Sequence, residues 1–234
     1  MVTSKDALGL ISLAIAAAAY SAYLWQTARQ KDIQPHPVSW FLFTLATIVA
    51  FAAQWVRSAG PGSWVTAVTA LVCFMIAVLS LTKYLLASTH DELEGVKPDE
   101  RIRSVSNIVS LGLSLIAIFA FLHAKSAVGA AISATAADLV GYYPSIKKAK
   151  RKPFNDSATS FTLNSAKFIP ALFAMGSYSL ATSLYPATLV VMNGYVAVLL
   201  MKGRKKEAFP HESWSPRIAW LCYRREWGIP LPVR

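Results

Sequence analysis

Apolar residues are arranged along the chain in long continuous runs that are separated by short polar breaks. A helix needs about 20 apolar residues to cross the roughly 30 Å hydrocarbon core of a bilayer. Seven runs reach or approach this length: about 7–28, 38–57, 63–86, 104–123, 126–146, 158–180 and 183–202. The runs do not alternate with period two, as the strands of a membrane barrel would. The pattern therefore predicts an all-α polytopic membrane protein with seven transmembrane helices.

Proline, glycine and charged residues cluster in the breaks, as turns between helices require. The first three breaks read QKDIQPHP, RSAGPGS and STHDELEGVKPDERIR, and the later ones read HAK, KKAKRKPFND and SLATSLYP. The first apolar run, which follows Lys5, resembles the core of a signal peptide. Because it is longer than such a core usually is, we expect it to remain in the mature protein as the first helix.

Composition narrows the class of protein. Hydrophobic residues make up 55% of the 234 residues and charged residues only 15%, whereas soluble domains carry about 25% charged residues. The chain nevertheless has a formal net charge of +11, from 23 Lys+Arg against 12 Asp+Glu. These values exclude a disordered chain, a collagen and an ordinary cytosolic enzyme. A polytopic membrane protein and a basic nucleic-acid binder remain, and the positions of the basic residues distinguish them.

Basic residues lie almost entirely on one side of the predicted helices. If the loop after the fifth helix is cytoplasmic, 19 of the 23 Lys and Arg residues (23 − 4) are cytoplasmic, and the other four are Lys5, Arg57, Lys125 and Lys167. This bias follows the positive-inside rule, and it places the N-terminus outside and the C-terminus in the cytoplasm. Because the basic residues adjoin the predicted membrane, the expected partner is the lipid bilayer and not a nucleic acid.

The chain also contains an internal repeat of three helices. TARQKDIQPHPVSWF leads from the first helix into the second, and KKAKRKPFNDSATSFT leads from the fifth into the sixth. When the two segments are aligned without gaps, Arg29 falls opposite Lys150 and Ser39 opposite Ser160. The predicted organisation is a first three-helix bundle at 1–87, a cytoplasmic loop and linker helix at 88–124, a second bundle at 125–203 and a basic aromatic tail at 204–234. The alternative is that any two membrane triplets share this general appearance.

The segment DLVGYYPSIKKAKRKPFNDSATSF is the strongest motif in the chain. It resembles the first-helix end, basic turn and second-helix start of the SWEET and PQ-loop superfamily, and the resemblance covers about residues 7–203. It implies two parallel three-helix bundles joined by a linker helix, a known plan for transporters. It also implies that Pro144 and Pro170 are hinges. In the first unit, Tyr23-Leu24 and Val49 occupy the corresponding places.

Two ionisable residues fall at mid-membrane depth, where a charge costs about 2.5–3.5 kcal/mol on insertion scales. Asp138 lies in the fifth predicted helix, and Lys167 lies at a similar depth in the sixth. Because a short loop joins these helices, we expect them to be neighbours and the two side chains to meet and neutralise one another. Asn193 lies at the same depth, Asn164 is one turn from Lys167, and Tyr142 shares a polar helix face with Asp138.

These five residues are the predicted substrate-binding set: Asp138, Tyr142, Asn164, Lys167 and Asn193. The resemblance implies that Asn193 occupies a substrate position in the third helix of its unit, where the first unit has Cys73-Phe74 instead. It also implies that an intramembrane carboxylate such as Asp138 carries protons coupled to transport. The alternative is that Asp138 and Lys167 form a structural lock between two helices.

The sequence offers little chemistry beyond this set. No nucleophile with its base, pair of carboxylates or phosphate-binding loop is present in it, so we expect no enzyme activity. The two cysteines, Cys73 and Cys222, form neither a disulfide framework nor a metal motif. No metal or other cofactor is expected.

The predicted function is therefore transport of a small polar solute, such as a sugar, an amino acid or a vitamin, by alternating access with a proton link. The alternative is a non-transporting receptor or an accessory subunit of a membrane complex. The compact loops favour a bacterial inner membrane, and a homo-oligomer or a larger complex is a further expectation.

The tail has a pattern of its own. Ile218, Leu221 and Cys222 recur at helical spacing among basic and aromatic residues. This pattern predicts a short amphipathic segment that lies on the anionic cytoplasmic face of the membrane. A disordered basic tail is the alternative.

Overall fold

The structure is a computed structural model that describes residues 3–29, 35, 37–91, 105–124 and 126–224. Throughout these ranges the chain is helical or in turns and forms no strand. The α-helices are α1 Ser4–Arg29, α2 Pro37–Val56, α3 Trp64–Asp91, α4 Val105–Ala124, α5 Ala127–Arg151, α6 Ala158–Phe173, α7 Leu180–Ala208 and α8 Pro216–Arg224. A single 3₁₀ turn, Gly60–Ser63, leads into α3. The predicted all-α class is confirmed.

Seven of these helices coincide with the seven apolar runs, and one boundary differs clearly. The sequence predicts that the sixth helix continues to 180 and that SLATSLYP separates it from the seventh. In the structure α6 ends at Phe173 and α7 begins at Leu180. The reason is a capping box, in which the Ser179 hydroxyl accepts from the Thr182 amide and the Thr182 hydroxyl accepts from the Ser179 amide. Pro186, which we expected in the break, lies inside α7.

Serine caps fix the starts of the helices in the second half of the chain. The Ser126 hydroxyl accepts from the Gly129 amide at 3.1 Å, and the Ser157 hydroxyl accepts from the Ser160 amide at 3.1 Å. A capping hydroxyl supplies a partner to one of the amides that a helix start leaves unpaired. Together with Ser179, these residues begin α5, α6 and α7 at defined positions.

The helices pack in a pattern that is the same in both triplets. In the first triplet α3 packs against α1 and α2, and in the second triplet α7 packs against α5 and α6. Between the triplets, α1 packs against α6 and α2 packs against α5. Helix α4 lies outside this arrangement against α5 and α2. The first helix of each triplet therefore contacts the second helix of the other.

Small residues form the helix contacts, and large apolar residues face outwards. Ala16, Ala19, Ala50 and Ala130 are fully buried, whereas the side chains of Leu71, Val191 and many similar residues are more than half exposed. Soluble proteins rarely expose so much contiguous apolar surface, whereas membrane bundles pack through small residues. Four helical segments in the described ranges are long and apolar enough to cross a membrane: Ser4–Arg29, Ser39–Val56, Gly60–Lys83 and Leu180–Ala208.

The bundle has two ends, which we name after a residue at each. The Lys5 end holds the start of α1, the 3₁₀ turn and the connection from α6 to α7. Here the Lys5 ammonium donates to the Met175 carbonyl at 2.7 Å, and the Gly176 amide donates to the Ala59 carbonyl at 2.7 Å. The Arg204 end holds the end of α7 together with α8.

The tail forms the helix that its spacing predicts, but its apolar face points towards the protein. Ile218, Leu221 and Cys222 on α8 are buried and belong to the same core cluster as Leu200 in α7. The Tyr223 hydroxyl also lies 3.0 Å from the Thr162 hydroxyl of α6. The amphipathic segment therefore covers the Arg204 end of the bundle with its apolar face, so that this face is not available to lipid.

Several sequence-based predictions fall on residues outside the described ranges. These include most of the charged loop after α3 and the last ten residues of the tail. The basic residues concerned are Lys31, Lys97, Arg101, Arg103, Lys125, Arg225 and Arg234.

Candidate functional site

A cavity of about 40 Å³ lies between the two triplets. It is lined by side chains of α1, α2, α3, α5, α6 and α7, the same six helices that the two predicted units contribute. The cavity brings together all five residues of the predicted substrate-binding set: Asp138, Tyr142, Asn164, Lys167 and Asn193. A cavity needs only about 10–15 Å³ to hold one water molecule, so this one is large enough for a small ligand.

Lys167 is fully buried and is held by neutral partners from the first triplet. Its ammonium group donates to the Tyr20 hydroxyl of α1 and to the Thr69 hydroxyl of α3, the latter at 3.0 Å. It also lies 4.8 Å from the ring centroid of Phe168, within reach of a cation–π interaction. The Ser12 hydroxyl donates to the Lys167 carbonyl at 2.6 Å, which fixes the backbone of α6 against α1.

Asp138 is also buried, with 3% of its surface exposed, but its carboxyl group is poorly satisfied. The Oδ1 atom has no hydrogen-bond partner among the described residues. The Tyr185 hydroxyl faces this carboxyl group, but it also lies 2.7 Å from the Thr47 hydroxyl. Either hydroxyl can be the donor in the Tyr185–Thr47 contact, and the Thr47 hydroxyl can also donate to the Phe43 carbonyl at 2.5 Å.

The expected ion pair between Asp138 and Lys167 is wrong for the described residues, because neither side chain forms a salt bridge there. The prediction assumed that helices joined by a short loop are neighbours. In the structure α5 packs against α2, α4 and α7, whereas α6 packs against α1 and α7. The two charges therefore reach the cavity from different walls, and each lacks an ionic partner in this part of the chain.

The two predicted asparagines and Tyr142 complete the polar lining. The Asn164 Oδ1 atom is buried and has no hydrogen-bond partner in the ranges described. The Asn193 side-chain amide donates to the Leu189 carbonyl at 2.8 Å, one turn earlier in α7. The Tyr142 hydroxyl faces Asn193. The cavity thus contains two buried acceptor atoms, on Asp138 and Asn164, that no described residue satisfies.

A row of aromatic rings lines the cavity on the side of the Arg204 end. The ring centroids of Tyr23 and Trp40 are 5.2 Å apart, those of Trp40 and Phe43 are 5.7 Å apart, and those of Phe43 and Tyr142 are 5.2 Å apart. The Tyr23 hydroxyl donates to the Asp156 carboxylate at 3.2 Å, which links α1 to the start of α6. Because the row contains residues of both triplets, any relative movement of the triplets must rearrange it.

The predicted hinge residues lie inside helices. Pro144 falls within α5 and Pro170 within α6. A proline inside a helix removes one backbone hydrogen bond and commonly produces a bend. Pro186 in α7 is a third helix proline, which the sequence analysis assigned to a loop. The hinge roles of Pro144 and Pro170 stay predictions.

The sequence-based prediction did not include the residues that surround the five predicted site residues in the cavity. Thr69 and Cys73 on α3 both line the cavity, and Thr66 and Ser80 lie on the same buried face. Their spacing of three, four and seven residues marks one side of a helix, and the same argument that identified the polar face of α5 would have found them. Tyr20 carried a weaker signal, as one of two tyrosines in an alanine-rich helix.

A second polar centre, which the sequence did not indicate, lies at the Arg204 end. Arg204 is fully buried, and its guanidinium group donates to three backbone carbonyls. These are Pro153 at 2.9 Å, Asp156 at 2.6 Å and Cys222 at 2.9 Å. One side chain therefore ties α7 to the connection before α6 and to α8. Burial raises the pKa of the nearby Cys222 thiol, and the Arg204 charge opposes that rise.

Replacing Arg204 by alanine is expected to destabilise the protein by about 2–4 kcal/mol. Hydrogen bonds to a charged group contribute about 1.5–3 kcal/mol each, and water and neighbouring groups partly replace those that are lost. Arg204→Lys should recover little, since an ammonium group cannot reproduce the fork of donors. The measurement is the apparent thermal unfolding midpoint in detergent, with Arg217→Ala on the exposed side of α8 as the control. Equal midpoints for the two alanine variants would show that Arg204 holds nothing together.

Fold and site together define an all-helical protein with helices that can cross a membrane and a central polar cavity between two similar triplets. Comparison of the chain with protein-family models, with curated proteins and with solved structures finds no match.

Proposed function

We propose that this protein is a membrane transporter that moves a small polar solute by alternating access. The observation that carries the proposal is the central cavity, in which one oxygen of the buried Asp138 carboxyl group has no hydrogen-bond partner among the residues that the structure describes. Proteins seldom leave a buried polar atom unsatisfied without a reason, and a ligand or a proton supplies one. Small-molecule sites are typically cavities with a few convergent polar groups of this kind.

The packing of the helices supports the same function. Helix α1 contacts α6, and α2 contacts α5. The first helix of each triplet therefore packs against the second helix of the other, as an approximate two-fold symmetry requires. Parallel repeats with a binding site at their interface are a transporter plan in which one unit rocks against the other. The proposal therefore includes two three-helix units joined by α4 and the membership of the SWEET and PQ-loop superfamily that the motif at 138–161 suggests.

The proposed orientation follows from the basic residues. Lys147, Lys148, Lys150 and Arg151 end α5, and further basic residues end α7 near the Arg204 end. The positive-inside rule places that end in the cytoplasm and the Lys5 end outside. On this reading all seven long helices cross a membrane, which we propose to be a bacterial inner membrane.

A non-transporting receptor or accessory subunit is the second candidate. It is favoured by the small volume of the cavity and by Cys73, which lines the cavity near the place where the resemblance expects an asparagine in the first unit. In that case the cavity would hold only water, and the two triplets would not need to move.

Uptake into proteoliposomes tests transport directly. The wild-type protein is expected to accumulate at least one labelled solute from a panel of sugars, amino acids and vitamins, with and without an imposed proton gradient. Asp138→Asn is expected to reduce this uptake at least tenfold, whereas Glu207→Gln, which removes an exposed carboxylate of α7, should leave it unchanged. If the folded wild-type protein moves no solute above empty liposomes, the transport proposal fails and the second candidate replaces it.

A further inference from the structure

The groups that line the cavity restrict the chemistry of its ligand. Asp138 Oδ1 and Asn164 Oδ1 are both acceptors, both buried and both without a partner among the described residues. A ligand that satisfies them must bring hydrogen-bond donors. A buried acceptor that stays unpaired costs about 1–3 kcal/mol, and more for a charged group, so the match affects affinity strongly.

Lys167 supplies a donor and a positive charge at another part of the wall. A lysine ammonium has three N–H donors. In the ranges described, two of them are used by the Tyr20 and Thr69 hydroxyls. The third remains for a ligand, and the acceptor that suits an ammonium best is a carboxylate. Lys167 and Asp138 form no ion pair with each other in the described ranges and both line the cavity, so one ligand in the cavity can contact both.

Charge balance then selects among ligands. Asp138 and Lys167 have opposite charges when ionised and none when neutral, so the pair adds no net charge to the cavity in either state. A ligand with a net charge would leave one charge uncompensated in a buried site, which is costly. A sugar has no charged group to place against either side chain. A zwitterion supplies an ammonium group for one side and a carboxylate for the other, and it keeps the cavity neutral.

We infer that the ligand is a small zwitterion, an α-amino acid with a primary ammonium group and a short side chain. The ammonium donates to Asp138 and Asn164, and the carboxylate accepts from Lys167. The volume of about 40 Å³ sets the limit on the side chain. This inference rests on the proposed function, because it names the class of solute that the same cavity would carry.

Cys73 provides a reporter inside the cavity. The chain has two cysteines, so Cys222→Ser leaves Cys73 as the only thiol. We expect alanine and glycine to slow the modification of Cys73 by methyl methanethiosulfonate at least tenfold in the purified protein, as followed by intact mass. Glycine betaine, which has no N–H donor, and glucose, which has no charge, should not slow it. Lysine and aspartate, which carry a net charge, should also fail.

Variants in the same background locate the effect. Asp138→Asn is expected to weaken protection by alanine about 10- to 100-fold, while Glu207→Gln should leave it unchanged. Equilibrium binding of labelled alanine is a second measurement, which does not depend on the thiol reaction. The comparison of alanine with betaine uses a cavity without the Asp138 substitution, so it does not depend on whether the Asp138→Asn variant folds.

The outcomes separate the inference from the proposed function. If glucose protects Cys73 and alanine neither protects nor binds, the zwitterion is wrong although the protein still has a solute. If Asp138→Asn binds alanine as tightly as the Glu207→Gln variant, the assigned geometry is wrong. If no member of the panel binds and the uptake assay also finds no solute, the transport proposal fails as well.

Discussion

Lys167→Met is expected to abolish solute uptake and yet to leave the protein at least as stable as the wild type. A fully buried ion carries an effective desolvation penalty of several kcal/mol, and Lys167 has no ionic partner among the described residues to offset it. Methionine has a similar length and no charge. Its introduction removes that penalty, at the cost of one unpaired hydroxyl on Tyr20, about 1–3 kcal/mol.

Thr69 loses little in this variant, because its hydroxyl also donates to the Val65 carbonyl at 2.6 Å. Asp138 loses no ion pair, and a carboxyl group without a cation can stay neutral by holding a proton. We therefore expect a free energy of unfolding that is unchanged or up to about 2 kcal/mol higher. A structural lock between Lys167 and Asp138 predicts the opposite sign, a loss of about 3–5 kcal/mol, because breaking a buried pair strands one charge.

The measurement combines the apparent unfolding midpoint in detergent with uptake by proteoliposomes. Lys202→Met, which removes an exposed lysine from α7, is the matched control and should change neither quantity. A Lys167→Met variant that unfolds several degrees below the control would show that Lys167 stabilises the helix packing through Tyr20 and Thr69. A variant with unchanged stability and unchanged uptake would show that Lys167 does not contact the solute.

The sequence predicts the helices well because each is specified locally. An apolar run of about 20 residues and a polar break are visible without knowledge of any other segment. The boundary that was misplaced, between α6 and α7, depends on the capping box of Ser179 and Thr182. Residues 174–180 contain Gly176, Ser177 and Ser179, and the capping hydrogen bonds of Ser179 and Thr182 start α7 there.

The partners of the site residues are less predictable, because they depend on which helices are adjacent. Periodicity places Asp138 and Lys167 at a similar depth, and the structure brings both to one cavity. Their expected contact assumed that α5 and α6 lie side by side. The exchange of contacts between the triplets instead puts α1 beside α6 and α2 beside α5. Tyr20 and Thr69, which hold Lys167, come from helices more than 90 residues away in the chain, at separations of 147 and 98.

Arg204 illustrates a different limit. In the sequence it is one of several basic residues that end α7, and the positive-inside rule gives all of them the same meaning. In the structure Lys202 and Lys206 are exposed, while Arg204 is fully buried against three carbonyls. The carbonyls of the connection between α5 and α6, together with the position of α8, distinguish Arg204 from its neighbours. Charge patterning alone therefore cannot identify a basic residue that contributes both to the orientation of the protein in the membrane and to the packing of its helices.

The Lys5 end is closed by contacts that leave no room for a side chain on Gly62. A Cβ atom there would stand 2.6 Å from the Ala171 carbonyl oxygen and 2.9 Å from the Met175 amide nitrogen. These are backbone atoms of the α6 end, so they cannot move aside as a flexible side chain would. Two hydrogen bonds between the triplets depend on the same close approach, from Lys5 to Met175 and from Gly176 to Ala59.

Gly62→Ala is therefore expected to hold the Lys5 end open and to expose the cavity to the outside. Overpacking of this kind costs about 1–3 kcal/mol, which corresponds to a roughly 5- to 150-fold shift between two states. In the Cys222→Ser background, a membrane-impermeant thiol reagent added from the Lys5 side should modify Cys73 at least fivefold faster than without the Gly62 change. Uptake should fall, since a transporter that cannot close one end cannot complete its cycle.

Gly112→Ala is the matched control, because a Cβ atom at Gly112 meets nothing within 4 Å. It should leave the labelling of Cys73 unchanged and, as a helix substitution, stabilise α4 slightly. If Gly62→Ala labels no faster than Gly112→Ala although both elute as folded protein, the Lys5 end does not control access to the cavity. Faster labelling from the Lys5 side alone would instead identify that end as one of two alternating barriers, with the aromatic row from Tyr23 to Tyr142 as the other.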